Sequence, residues 1–184
     1  MNEARPSADD LRQRLDFETL FSDLSSRFIQ LPAGEVDREI EDALRRLCEP
    51  LAIELAVLWQ WSQTDPDVIR PTHVYNAHGI PRPSEPLRQD QYPWARQQVL
   101  AGRMVVISSL DDYPAEATVD RESCRQMGIG SGLCLPLSVG SGPPIGALGL
   151  NCLQAERAWP DALLKQLQLM VQVFTHALDR QRRE

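Results

Sequence analysis

Hydrophobic residues recur at steps of three and four over Phe17, Leu20, Phe21, Leu24 and Phe28, which predicts a helix with one apolar stripe beginning near Asp10. Ser7 or Asp9 is placed to cap it. Leu31-Pro32-Ala33-Gly34 breaks the pattern, and Val36, Ile40, Leu44, Leu47 and Cys48 define a second helix ending before Pro50. From Ile53 to Trp61 the chain is apolar and rich in strand formers. Thr64-Asp65-Pro66-Asp67 is a turn signal, and a second strand runs from Val68 to Asn76. Pro71 inside that strand predicts an edge position or a bulge. Residues 77–93 hold four prolines and read as a long surface loop. Pro93 to Ala101 is a short helix closed by Gly102, followed by a short strand from Met104 to Ser108. Asp111 to Ala117 is a polar loop, and Val119 to Met127 is a short helix stopped by Gly128.

The last third is the most strongly patterned. Leu133 to Leu137 and Ile145 to Leu150 are apolar runs separated by Gly140-Ser141-Gly142-Pro143-Pro144, a hairpin signal. A long helix follows, opening at Trp159-Pro160-Asp161. It carries Leu164, Leu167, Val171, Phe174 and Leu178 as an a/d seam, widened by Leu163, Met170 and Ala177. One side can pack on a sheet while another meets a partner helix. The predicted order is ααββαβαββα, an α+β class with a mostly antiparallel sheet.

Length changes this picture little, since 184 residues suit one domain, taken as 9–184 behind a disordered tail at 1–8. Charge changes it more. The net charge is −7, and the first fifty residues hold twelve acids against seven arginines, which argues against a nucleic-acid partner. No apolar run approaches the ~20 residues of a membrane helix. The N-terminus lacks a signal-peptide layout, so the expected location is cytoplasmic, with no membrane partner. The four cysteines are then expected as reduced thiols.

Leu135-Pro136-Leu137, the run Pro144-Ile145-Gly146-Ala147-Leu148 and the terminal helix resemble the end of a GAF domain. Trp94 to Gly102 followed by Val105-Val106-Ile107 is similar to that family's third helix and third strand. The resemblance spans roughly residues 17–178. It implies a GAF-like fold in which a six-stranded, mostly antiparallel sheet has helices on both faces. The first, second and last helices take one face, and the short middle helices and long loop enclose a pocket on the other. It also implies a non-catalytic sensory or regulatory domain of a bacterial signalling protein, such as a sensor histidine kinase or a transcriptional activator. Such a domain binds a small ligand, dimerises, or both. The terminal helix has no capping Gly or Pro after Leu178, so it is expected to continue into a downstream kinase or activator domain. A homodimer through the first and last helices is expected from the seam and the stripe at Phe17, Phe21 and Phe28.

Candidate chemistry is sparse. Gly128-Ile129-Gly130-Ser131-Gly132 lacks the strand-before, helix-after context of a phosphate loop and reads as a cap and turn. His73, His78 and His176 have no metal-ligand spacing, and no metal site is expected. Asp111, Asp112, Asp120, Cys124 and Cys134 lie where some GAF sensors hold iron, but with a different spacing. Cys124 lies near, one residue off, the reactive cysteine of the free methionine-R-sulfoxide reductases of the same family. That enzyme is the main alternative, beside a GAF domain acting only in dimerisation. The family's further cysteines have no counterparts in Trp94 to Met104, and Cys134 and Cys152 read as buried and inert. The bilin-anchoring Cys-His pair and the Asn-Lys-Phe-Asp-Glu signature of cyclic-nucleotide binding are absent. No catalytic residue and no cofactor is assigned. By strand parity Trp59 and Trp61 share a face, as do His73 and Tyr75. Trp59, Trp61, Tyr75, Trp94, Cys124 and Met127 are the expected ligand-binding residues, a stacking wall for a flat apolar ligand. Gly146 and Gly149 inside a strand imply either ligand approach or close packing under a crossing helix.

Overall fold

The computed structural model describes residues 7–77 and 90–184. The proposed tail therefore lies outside the described residues up to position 6. Helix α1 (Ala8–Gln30) already begins at Ala8, with Ser7 as its N-cap. Ser7 caps it with a reciprocal pair of bonds: Asp10 N–H donates to Ser7 Oγ at 3.1 Å, and Ser7 N–H donates to Asp10 Oδ2 at 3.0 Å. Helix α2 (Val36–Leu51) runs past the predicted stop. Pro50 falls in its last turn, where a missing N–H forfeits one bond without breaking the helix. Ala52, with φ of 50°, ends it.

The remaining elements follow the predicted order: β1 (Leu55–Trp61), β2 (Ile69–Asn76), α3 (Pro93–Leu100), β3 (Val105–Ile107), α4 (Thr118–Gln126), β4 (Ile129–Leu137), β5 (Gly146–Leu153) and α5 (Asp161–Arg183). Strand β4 starts four residues before the predicted run. Ile129 to Gly132 is ladder rather than turn, with Ser131 opposite Cys152 and Gly132 opposite Asn151. Gly130 is required there, because a Cβ would lie 2.6 Å from the Ala155 backbone.

Among the described residues the sheet has five strands, not the six the resemblance implies, in the order β2-β1-β5-β4-β3. Every neighbouring pair is antiparallel. Pro71 sits in the edge strand β2 beside a register shift: Leu58 faces His73, Trp59 faces Pro71, and Thr72 is the extra residue. Edge position and bulge therefore coincide at the one residue that cannot donate to a ladder.

Helices α1, α2 and α5 cover one face of the sheet and form the main core. Phe17, Leu24 and Phe28, then Ile40, Leu44 and Leu47, then Leu167, Met170, Phe174 and Leu178 pack with Ala56, Leu58, Leu133, Leu135, Leu148 and Leu150. Phe28 and Phe174 meet edge to face at 5.6 Å. Leu164, Leu167, Val171, Phe174 and Leu178 are all buried within the chain, as are Phe17 and Phe28. The seam that pointed to a partner helix is thus core. The amphipathic period was read correctly, but the surface it meets is the chain's own sheet and α1.

Candidate functional site

The two faces of the sheet are sealed to different degrees. Beneath α1, α2 and α5, residues Ala56, Leu58, Leu133, Leu135, Leu137, Leu148 and Leu150 are at most 3% exposed. On the opposite face Leu55, Val57 and Ala147 are also buried, but Trp59, Trp61, Cys134 and Asn151 are only half-buried. They stand on β1, β4 and β5, the strands inside the sheet. Gly132 and Gly149 lie among them. A Cβ at Gly132 would lie 2.8 Å from Asn151 Oδ1, and one at Gly149 would lie 3.6 Å from Asn151 Nδ2 and 3.8 Å from Trp59 Nε1. The Asn151 amide therefore lies over two bare positions with the Trp59 indole N–H beside it. Gly146 differs. A Cβ there would collide with the Trp59 carbonyl oxygen and lie 3.1 Å from Gln60 Cα, so the constraint is the neighbouring strand and not a crossing helix.

On the β3–β4 side of this patch α3 and α4 pack against the sheet, with Cys124 near Cys134. Asp120 on α4 is fully buried. Its carboxylate accepts the Trp94 N–H at 3.0 Å to each oxygen and the Ala95 N–H at 3.0 Å. These are unpaired donors of the first turn of α3, so α4 caps α3 from 26 residues away. Burial raises the Asp120 pKa against the lowering by the Ala95 and Trp94 amides. Ser123 Oγ donates to Gln91 O at 2.7 Å and adds a second tie between α4 and the entry to α3.

Trp94 meets Tyr113 edge to face at 5.8 Å. Tyr113 Oη lies 3.2 Å from Cys124 Sγ. Burial raises the pKa of Cys124, opposed by the Tyr113 hydrogen bond and reinforced by Asp120. Burial pushes Cys134 up to about 12, with Cys124 adding to the shift. Tyr92 and Tyr113 are also raised, chiefly by burial. The site is thus built from thiols, phenols, an amide, indole N–H groups and one buried carboxyl, Asp120. The Trp61 indole nitrogen is buried with no hydrogen-bond partner among the described residues.

Of the expected site residues, the structure brings Trp94 and Cys124 together through Tyr113 and places Trp59 and Trp61 on the same sheet face as Cys134, on β1. Tyr75 falls on the wrong side. Its partner across the ladder is Ala56, and it packs with the helix-covered core, as does His73 opposite Leu58. Parity correctly joined His73 to Tyr75, but the antiparallel register sets that pair on the face opposite Trp59. Met127 follows the last turn of α4 and is 51% exposed. His78 lies outside the described residues. Tyr113 and Asn151 do not appear among the candidates read from the sequence, and Asp120 and Cys134 appear there only at the iron position of some GAF sensors. Only the alternation along β4 and β5 could have pointed to Cys134 and Asn151.

Asp111 pairs outward with Arg121 at 2.7 Å, and Asp112 accepts the Ser108 and Ser109 N–H groups at 2.8 and 3.0 Å. Among the described residues no group of three or more His, Cys, Asp or Glu side chains is arranged to hold a metal. No helix among them is long and apolar enough to cross a membrane. A separate cleft of about 410 Å³ lies where β4 meets α5, lined by Met104, Leu135, Pro136, Lys165, Leu169 and Gln172 among others. It opens where the β3 ladder stops at Val105 opposite Cys134, next to Pro136, which has no N–H to extend it.

Comparison with known proteins agrees with this architecture. The phycocyanobilin-bound GAF domain of a cyanobacterial phytochrome is 14% identical with a TM-score of 0.72, over 90% of this chain and 94% of that one. The GAF domain of a candidate sensor histidine kinase from Pseudomonas syringae pv. tomato is 18% identical with a TM-score of 0.61, over 93% and 92%. The substrate complex of free methionine-R-sulfoxide reductase from Neisseria meningitidis is 12% identical with a TM-score of 0.67, over 100% and 98%. At these identities the likeness is one of fold. No curated protein matches the chain by sequence. The sequence profile of the GAF domain matches residues 35–178, and the chain belongs to the GAF domain family.

Proposed function

We propose that this chain is a non-catalytic sensory domain that binds a small, flat, largely apolar ligand between the sheet and the α3–α4 cover. The observation that carries this reading is the unequal sealing of the two sheet faces, with indole, amide and thiol groups left half-buried on one of them. Aromatic walls with a few fixed polar groups suit such a ligand. Solved GAF domains of similar fold hold bilins, which makes linear tetrapyrroles the first probes. The setting we propose is a cytoplasmic bacterial signalling protein with a kinase or activator as output.

The thiols favour binding over chemistry. A nucleophilic cysteine needs cationic neighbours or a helix N-terminus to hold its thiolate. The groups acting on Cys124 are a phenol and a carboxyl, and its pKa is raised.

We also propose a homodimer, resting now on exposed apolar residues of the outer helices: Leu11, Leu15 and Ile29 on α1 and Leu169 on α5.

Thermal shift and tryptophan quenching with biliverdin, phycocyanobilin, haem, nucleotides and aromatic acids test the ligand. Binding should raise Tm by mass action and weaken in Trp94→Ala. Affinity unchanged in Trp94→Ala and Trp59→Ala would place the ligand elsewhere. Cys124-dependent turnover of free methionine-R-sulfoxide with thioredoxin would replace the sensor with the enzyme.

A further inference from the structure

The polar groups behind the β1–β2 bulge form a continuous chain from the end of α5 to α2. Arg182 donates to Gln60 Oε1 at 2.8 Å and lies 3.4 Å from the carbonyl oxygens of Trp61 and Ile145. Gln60 Nε2 donates to Thr72 Oγ1 at 2.8 Å. Thr72 Oγ1 lies 2.9 Å from His73 Nδ1, and His73 Nε2 lies 3.0 Å from Asp37 Oδ1. His73 is 3% exposed, whereas Thr72 beside it is exposed, so only the imidazole link of this chain is shut off from water.

Neighbouring residues hold the same end of α5 from other directions. Arg180 donates to the carbonyls of Phe28 and Leu31 at 3.2 and 2.7 Å, and Gln181 to Ala33 O at 3.3 Å. The last turn of α5 is therefore fastened on one side to the end of α1 and on the other to β1 and to Ile145, just before β5. Orphan carbonyls at the end of α1 are satisfied by the Arg180 guanidinium in the process.

Thr72 is the residue that makes the bulge, and the strand opposite it carries Trp59 toward the candidate site. Its single hydroxyl proton has two acceptors, Leu58 O at 3.2 Å and His73 Nδ1 at 2.9 Å, and can serve only one at a time. The bulge thus links a residue on the ligand face to a polar chain on the helix face.

We infer that the chain Asp37–His73–Thr72–Gln60–Arg182 couples the position of Trp59 to the anchoring of the α5 C-terminus. This rests on the sensory reading above and supplies its regulation: displacement of the Trp59 ring shifts the bulge, re-aims Thr72, and loosens the hold of Gln60 on Arg182.

The experiment is hydrogen exchange of the intact chain without any ligand, read on peptides covering residues 176–184. Failure of a ligand screen therefore leaves its outcome unaffected. Trp59→Ala should speed exchange of the last α5 turns by about fivefold or more, the low end of ordinary coupling between sites. In a Thr72→Val or Gln60→Leu background exchange should start faster, and Trp59→Ala should add little. Circular dichroism identifies any variant that has not folded, and the two breaking variants substitute for one another. A Trp59→Ala effect of equal size in the breaking backgrounds overturns the inference, as does no effect at the end of α5.

Discussion

Asp120 binds the start of α3 through Trp94: both carboxylate oxygens take the Trp94 N–H at 3.0 Å, from a residue with no solvent exposure. Removing the acceptor leaves buried donors unsatisfied. Asp120→Ala is expected to cost about 1–3 kcal/mol. Asp120→Asn keeps one acceptor oxygen and should cost less. The pH dependence separates the two forms further. The folded pKa of Asp120 is raised above its ordinary value near 3.8, so its contribution is fully present below that value and declines as pH rises through the folded pKa. Asp120→Asn has no such group, so its stability relative to the parent should improve over that range. Urea denaturation from pH 4 to pH 8 measures the difference.

Gly146 and Gly149 separate two explanations of strand glycine. Gly146→Ala drives a Cβ into the Trp59 carbonyl, and it should destabilise by about 2 kcal/mol or more. Gly149→Ala meets only ordinary contacts, the nearest at 3.6 Å. It should be neutral or stabilising by a few tenths of a kcal/mol, through the less flexible unfolded chain. Thermal denaturation of the pair decides it. If both substitutions cost alike, the two glycines share one role.

Thiol reactivity follows the thiolate fraction. With its pKa pushed up to about 12, Cys134 should alkylate very slowly at neutral pH. Its rate should climb about tenfold per pH unit as the thiolate fraction grows. Pulsed iodoacetamide labelling read by mass spectrometry follows each cysteine separately. Rapid labelling of Cys124 at pH 7 would mean a thiolate that its phenol and carboxyl neighbours do not explain.

Much of the fold was legible because its signals are local. The helical stripes, the Pro93 and Gly102 boundaries of α3 and the Gly/Pro hairpin turn each carry their cause in neighbouring residues. What failed to show is long-range. Periodicity marks Leu167 and Phe174 as a face to be covered, but not whether a sheet or a second copy covers them. Parity pairs His73 with Tyr75, but only the register Leu58 opposite His73 says which side they take. Asp120 reads as one acid in a polar helix, since its partners at Trp94 and Ala95 are far away in sequence. Gly130 and Gly132 read as a turn because the strand pairing that needs bare positions lies on β5 and beyond.

The seam and the outer apolar residues give opposite outcomes on substitution. Phe174→Asp buries a charge in a fully enclosed site and should unfold the domain. Leu11→Asp with Leu15→Asp alters residues 47% and 62% exposed, and Tm should stay within a few degrees. Sedimentation across a concentration series then tests the proposed dimer. A shift toward monomer in the double variant supports α1 as the interface, and a parent that stays monomeric at high micromolar concentration ends the idea.

The unequal sheet faces carry a consequence for how such a chain can diverge. The helix-covered face holds the large fully buried side chains, so drift there is penalised through folding itself. The other face holds Trp59, Asn151 and Cys134 around bare glycine positions, one of which accepts a methyl group at ordinary contact distance. Changes on that side alter what fits against the sheet before they threaten the fold. On the reading proposed above, binding preference and foldability are written on opposite sides of the same strands, one residue apart.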